Sequence, residues 1–223
     1  ITRKVKEYGT PGKQEKLWAM GRMSHENVAV ANDSITAYEG EDAGSGCLYK
    51  FVADSPGDLS TGSLYALQLT GGLTNGEPNS QVGKWIKIPN STIADRNSTR
   101  SLALSLGATP FNGIEDAEIG TVDGKIYFTS KGYSRVYRFS DDSDSSISAF
   151  ETFVGGPTSY LINYGNGIAA ENWGSGNDNL CFDNLGNLYV LQDGSRNHIW
   201  MVTPNHTQVS PKVDLFAKLP SGS

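Results

Sequence analysis

The chain has 223 residues, a formal net charge of −6, 37% hydrophobic residues, 26 glycines and 9 prolines. Such a length supports one domain with a substantial core, and frequent Gly, Pro, Ser and Asn favour an all-β architecture with many turns. The negative balance argues against a nucleic-acid phosphate binder, which needs a basic face, and no run of about 18 apolar residues exists to span a membrane. Ile1 is not a start methionine and no signal peptide is visible, so the chain is expected to be processed, truncated or partly observed.

In chain order, the first organised unit is "HENVAVANDSITAYEGEDAGSGCLYKFV", His25 to Val52. It reads as an acid and amide, a short apolar strand, a turn at Asn32-Asp33, and β-rich strands. From Gly72 to Thr109 the chain is polar and irregular. "TRSLALSLGA" (Thr99 to Ala108) can form a short helix or a strand, and "NSTIADRNSTRS" ahead of it has cap-like residues without a sustained 3.6 period.

A second unit, "IEDAEIGTVDGKIYFTSKGYSRVYRF", starts at Ile114. Asp123-Gly124 supplies its turn, and Ile126-Tyr127-Phe128 suits a half-buried strand. "SDDSDSS" (Ser140 to Ser146) lacks the Gly and terminal Glu of an EF-hand loop and is expected to be a solvated hairpin tip. "GNGIAAENWGSGNDNL" (Gly165 to Leu180) is glycine-rich without the strand-to-helix frame of a phosphate loop, and it would bring Glu171, Trp173 and Asp178 near one another. The third unit, "NDNLCFDNLGNLYVLQDGSRNHIWMV", starts at Asn177. Tyr127 and Tyr189 align its second strand with that of the second unit at an offset of 62 residues, which also aligns Asp116 with Asp178.

Repeated three-strand units with regular turns predict a β-propeller, with about four to five blades at roughly 40–50 residues each. The inner strand of each blade would line a channel, with the turn leading into it at one mouth. Three heads bring acids there: Glu26 after His25, Glu115 with Asp116, and Asp178 between Asn177 and Asn179. Carboxylates and amide oxygens suit a hard cation such as calcium, and a His-Glu pair adds capacity for a transition metal. Acids and Asn also cap turns in ordinary β proteins, so a shared metal site and structural turns both remain open here.

Cys47 and Cys181 lie far apart in apolar runs and form no CxxC; two buried thiols are expected, with a disulfide open in an oxidising compartment. His198 and His206 have no evident partners. The sequons at Asn32, Asn90, Asn97 and Asn205 favour an exported glycoprotein. No G-x-S-x-G occurs, which leaves a serine hydrolase elbow unsupported.

Four blocks carry a family resemblance. "GRMSHENVAV" followed by "AYEGEDAGSGCLYKFV" resembles the Gly-Arg-x-x-His-Glu and Gly-Asp-Asp…Leu-Tyr-Lys-Phe-Val segments of PhoX-type alkaline phosphatases. "IEDAEIGTVDGKIYF" is similar to their Arg-Pro-Glu-Asp block before a Gly-Lys-Val-Tyr strand, and "NDNLCFDNLGNLYVLQDG" to their Asp-Asn-Leu…Asp-Gly block. The resemblance covers nearly the whole chain. It implies a secreted, extracellular or periplasmic β-propeller that hydrolyses phosphate monoesters with calcium and iron in its channel. By position, Glu26, Glu115 and Asp178 would be metal ligands, Glu115 and Asn179 would serve catalysis, and Asn179 would lie beside the phosphate.

The pattern's Arg-Pro is Gly113-Ile114 here, which removes a phosphate-gripping guanidinium; an arginine installed at 113 is expected to strengthen substrate binding. The family's cysteine-containing blocks, which supply iron ligands, precede Gly-Arg-x-x-His-Glu. Residues 1–223 are therefore expected to be one propeller domain, incomplete on its N-terminal side, inactive by itself, and completed by a missing segment or self-association. A non-catalytic extracellular propeller, acting as a structural or binding module, is the alternative. A sugar-lactone hydrolase on a calcium propeller is a third class, and it lacks this block order.

Overall fold

A computed structural model of the chain describes residues 2–5, 13–142, 145–156, 159–194 and 196–220. Strands β1 (Thr2–Val5) and β2 (Lys13–Lys16) pair as a hairpin, and a 3-10 turn spans Trp18–Met20. Strands β3 (His25–Val30), β4 (Thr36–Glu41), β5 (Leu48–Ser55) and β6 (Asp58–Leu69) then form an antiparallel meander. The expected turn between β3 and β4 is set by Asp33, whose Oδ1 accepts from Ile35 N at 2.8 Å and Thr36 N at 2.9 Å.

The polar region that follows contains the small hairpin β7 (Leu73–Thr74) and β8 (Glu77–Pro78), then β9 (Gly83–Ile88). Strand β9 pairs along β6, and its first residues also reach β13. Two short helices follow, α1 (Ile93–Asn97) and α2 (Thr99–Ser105). Helix α1 begins with a capping box: Thr92 Oγ1 accepts from Asp95 N at 3.1 Å, while the Asp95 carboxylate accepts from Thr92 N at 2.9 Å. Caps without periodicity thus made a helix too short to show a 3.6 period, and the Thr99 to Ala108 stretch is helical as far as Ser105.

Strands β10 (Ala117–Ile119), β11 (Ile126–Ser130), β12 (Arg135–Asp141) and β13 (Ser146–Gly155) form the second meander. Of the Ser140 to Ser146 stretch, expected as a solvated hairpin tip, Ser140 and Asp141 end β12 and Ser146 opens β13; Asp141 is paired with Lys50 and mostly shielded from solvent, and residues 143–144 lie outside the described set. Hairpin β14 (Ser159–Asn163) and β15 (Ile168–Asn172) precedes the third meander, β16 (Asn177–Phe182), β17 (Leu188–Gln192), β18 (His198–Val202) and β19 (Val213–Lys218). Among the described residues three four-stranded meanders thus form the blades; β9 joins the first two into one nine-stranded sheet, the third is a sheet of its own, and hairpin β14–β15 lies between the second and third.

The cores lie between blades, as face-to-face packing of sheets requires. Ile126 and Phe128 join Phe111, Tyr137, Phe139 and Phe150 in a core shared with Tyr38 and Leu48 of the first blade. Tyr127, one residue on and therefore on the opposite face, joins Trp173, Leu188, Val190 and Trp200 of the third blade's side. Both faces of β11 are buried, which explains its unbroken apolar run. Segments Ile126-Tyr127-Phe128 and Leu188-Tyr189-Val190 occupy the second strand of their respective blades, as the repeat predicts. A third core packs Met20, Tyr49, Phe51 and Leu64 against Ala103 of α2.

One half-buried acid ties the first two blades. Asp141 accepts from Tyr38 Oη at 2.5 Å and from Trp85 Nε1 at 2.9 Å, and pairs with Lys50 Nζ at 2.7 Å. His198 and His206 are both buried and, against expectation, have partners: His206 Nε2 lies 3.0 Å from Phe153 O and its Nδ1 accepts from Lys212 N at 2.9 Å, while His198 Nδ1 meets Arg196 O and its Nε2 lies 3.5 Å from Glu171 Oε1. Cys47 is buried, whereas Cys181 is exposed, contrary to expectation; both are free thiols. Strand alternation is the reason: Leu180 turns inward on β16, so its neighbour turns out.

Candidate metal centre

Strands β3, β10 and β16 are the inner strands and pack side by side. Two of them carry the same irregularity. His25 faces Glu41, yet Val28 faces Glu39, so β3 holds one extra residue; likewise Asn177 faces Gln192 while Leu180 faces Val190. These bulges fall across Glu26-Asn27 and Asp178-Asn179, and a bulge re-aims the side chains it contains. On the middle blade the equivalent pair, Glu115-Asp116, lies just ahead of β10. It is held by Thr129, whose Oγ1 accepts from Glu115 N at 3.3 Å and Asp116 N at 3.0 Å.

The bulge changes the equivalence read from sequence. Ala117 faces Phe128 as Leu180 faces Val190, so the inner strands are offset by 63 residues while the second strands keep 62. Glu115 therefore matches Asp178, and Asp116 matches Asn179. Three heads follow one rule: an acid first (Glu26, Glu115, Asp178), then an amide or acid (Asn27, Asp116, Asn179).

The first members gather at the mouth. Glu26 and Glu115, with Asp42 from the turn after β4, offer carboxylate oxygens that all lie within 4.8 Å of one another. Backbone bonds set the spacing: Asp42 N donates to Ser24 O at 2.9 Å, Gly113 N to Ala43 O at 2.7 Å, and Ile114 N to Glu41 O at 3.2 Å. Asp178 meets this group through Lys131, whose Nζ lies 2.9 Å from Asp178 Oδ2, 3.1 Å from Asp193 Oδ2 and 3.3 Å from Glu115 Oε1.

Burial, then the charges of Asp42 and Asp178, pushes the Glu26 carboxyl above its ordinary range. Burial also raises Glu115; Lys131 opposes this, and Asp42 and Asp178 add to it. Burial works against the Lys131 charge, yet its bonds to Asp178 and Asp193 and the nearby Glu115 hold its pKa high.

The second members form a buckle. Buried Asp116 accepts from Asn27 Nδ2 of β3 at 2.5 Å and from Leu180 N of β16 at 2.6 Å. Burial raises its pKa despite these bonds, to which the exposed Asn179 side chain adds another. One carboxylate thus locks three blade heads together.

Glu26, Glu115 and Asp178 all stand at this mouth, and Asn179 stands beside Asp116. Asp42, Lys131 and Asp193 were not singled out from sequence; Asp42 and Asp193 lie in the motif blocks "GED" and "QDG", and that was the available signal. His25 is turned elsewhere: Nδ1 lies 2.9 Å from Glu39 Oε2 and Nε2 3.2 Å from Gly21 O. Both ring nitrogens face acceptors, so the His-Glu pair offers no nitrogen ligand to the cluster. Glu171 and Trp173 do not join the site: Glu171 pairs with Arg196 at 2.9 Å, and Trp173 is core. Gly113 holds φ +78°, and a Cβ there would stand 3.4 Å from Asp42 Oδ1. An arginine at 113 would be strained, so the expected gain from installing one does not follow.

A family model described as alkaline phosphatase PhoX matches residues 5–214. Among solved structures, Pseudomonas fluorescens PhoX in complex with vanadate, a transition state analogue, superposes with a TM-score of 0.71 at 21% identity. The match covers 94% of this chain and 47% of that one, so this chain spans about half the length of that relative. The likeness shows the fold, a β-propeller. No curated protein matches the chain.

Proposed function

Because the chain belongs to the PhoX alkaline phosphatase family, we propose that its channel mouth is the metal centre of a secreted phosphatase acting on phosphate monoesters. The observation that carries this reading is the convergence of Glu26, Asp42 and Glu115, three hard oxygen donors within 4.8 Å. Such a donor set fits calcium. Glu26, Glu115 and Asp178 would hold the ion, joined by Asp42, and bound calcium would polarise the phosphoryl group and offset its developing charge.

The chain's own residues prepare that chemistry. Crowding keeps Glu26 and Glu115 ready to exchange mutual repulsion for a cation, and Asp116 fixes the strands that carry them. Lys131 adds positive charge beside the acids. Asn179, exposed at the same mouth, has an amide that can donate to a phosphate oxygen. The cluster brings no sulfur or imidazole donor, so on this reading the iron of the centre is held by residues outside this chain. The protein acts outside the cytoplasm, in the periplasm or beyond the cell; no helix among the described residues is long and apolar enough to cross a membrane. Residues 1–223 form one propeller domain, and a further segment or a second copy completes the ring.

A second reading, a non-catalytic propeller that binds or supports, is favoured by Gly113, which leaves no side chain to grip phosphate. Elemental analysis with a p-nitrophenyl phosphate assay tests both on the full gene product and its Glu115→Gln variant. Metal content and turnover should fall together in the variant, while residues 1–223 alone should bind calcium without turnover. An inactive but metal-loaded full-length protein selects the second reading. Failure of the full-length protein to retain any metal rejects the centre itself.

A further inference from the structure

Lys131 sits where a cation belongs. Its ammonium contacts Asp178, Asp193 and Glu115 at 2.9, 3.1 and 3.3 Å, and two of those acids are the ones read above as metal ligands. Resting on that reading, we propose that Lys131 is the internal counter-cation of the site: it neutralises the acids in the metal-free chain and yields them to calcium.

The surrounding loop favours such an exchange. The backbone at 131 is fixed, with Lys131 N donating to Gly113 O at 2.8 Å and Gly132 N to Asn112 O at 3.0 Å. Its Cβ lies 3.9 Å from where a Cβ on Gly113 would stand, so the side chain rises beside Glu115, two residues from Gly113. The flexible four-carbon stem, by contrast, leaves the ammonium free to pivot. Calcium sits about 2.3–2.6 Å from its oxygens, so an ion shared by Glu115 and Asp178 would crowd the ammonium, and the two cations repel. Asp193 offers a retreat. Its carboxylate is the most exposed of the three, at 54%, and it is not needed as a metal ligand.

A merely structural ion pair would behave differently, because it would stabilise the fold whether or not calcium is present. Competition instead makes the lysine valuable only without metal. The test compares the chelator-stripped 223-residue chain with Lys131→Met and Lys131→Arg, by calorimetric titration with calcium chloride and by melting in chelator and in millimolar calcium. Lys131→Met should bind calcium about tenfold more tightly, since a nearby unit charge has been removed. It should also melt lower than wild type in chelator and at the same temperature in calcium. Lys131→Arg should stay near wild type in both readouts.

Should Lys131→Met fail to fold without metal, amine acetylation of the wild-type chain followed by mass spectrometry gives the second measurement. Labelling of Lys131 should speed up several-fold when calcium is added. Equal calcium affinity in wild type and Lys131→Met, or Lys131 labelling unchanged by bound calcium, overturns the proposal and leaves the metal centre standing. Absence of calcium binding by both proteins overturns the metal-centre reading and this inference with it.

Discussion

Replacing Asp116 with alanine should loosen three blades at once. Its carboxylate accepts from Asn27 Nδ2 at 2.5 Å and from Leu180 N at 2.6 Å. Each hydrogen bond to a charged group is worth about 1.5–3 kcal/mol. Asn27 is exposed and can turn to water, whereas Leu180 is buried and its N–H would lose its acceptor. The raised carboxyl pKa shows that burial already offsets part of the gain, so the lower half of the range applies. A net loss of about 3 kcal/mol follows, which in a domain of this size lowers Tm by roughly 6–12 °C. Asp116→Asn keeps one acceptor and should lose about half as much. Chemical and thermal unfolding of the three proteins in calcium would measure this. A loss under about 1 kcal/mol for the alanine variant would refute the buckle. Loss of calcium binding with unchanged stability would instead make Asp116 a ligand.

Gly113→Ala should cost about 1–2 kcal/mol, the strain of a left-handed backbone under a Cβ, because φ is +78° and Asp42 Oδ1 would lie 3.4 Å away; denaturant unfolding checks it, and a neutral result would place the backbone elsewhere. Stability should also depend on pH in a metal-dependent way. Glu26, Glu115 and Asp116 all have folded pKa values above their ordinary ones, so the native state binds more protons than the unfolded chain over that window. Stability contributed by these groups is therefore greatest at low pH and falls as pH rises above their ordinary values of 4.5 and 3.8. Melting in chelator should fall as pH rises above the ordinary carboxyl values of 4.5 and 3.8, and saturating calcium should flatten that decline. A chelator profile rising across this range would contradict the crowded-acid account.

Sequence alone carried the architecture a long way. Turn residues at Asp33, Asp123-Gly124 and Gly186, together with β-rich runs between them, are local signals, and local chemistry is enough to place hairpins. The recurrence of Ile126-Tyr127-Phe128 as Leu188-Tyr189-Val190 correctly put both on the second strand of a blade. Acids at each repeat head were legible for the same reason, since they recur at matched positions. Other features depended on residues distant in the chain. A bulge shows no composition of its own, so the one-residue slip that pairs Glu115 with Asp178, and frees Asp116 to act as buckle, appeared only from strand register. Asp42 reaches the mouth because the chain folds back on Ser24, and Lys131 reaches it because its loop bonds to Gly113. Neither contact has a signature along the sequence. His25 adjoins Glu26 in the chain, yet its ring turns to Glu39 and Gly21, because packing of the bulged strand, and not adjacency, decides where each side chain points.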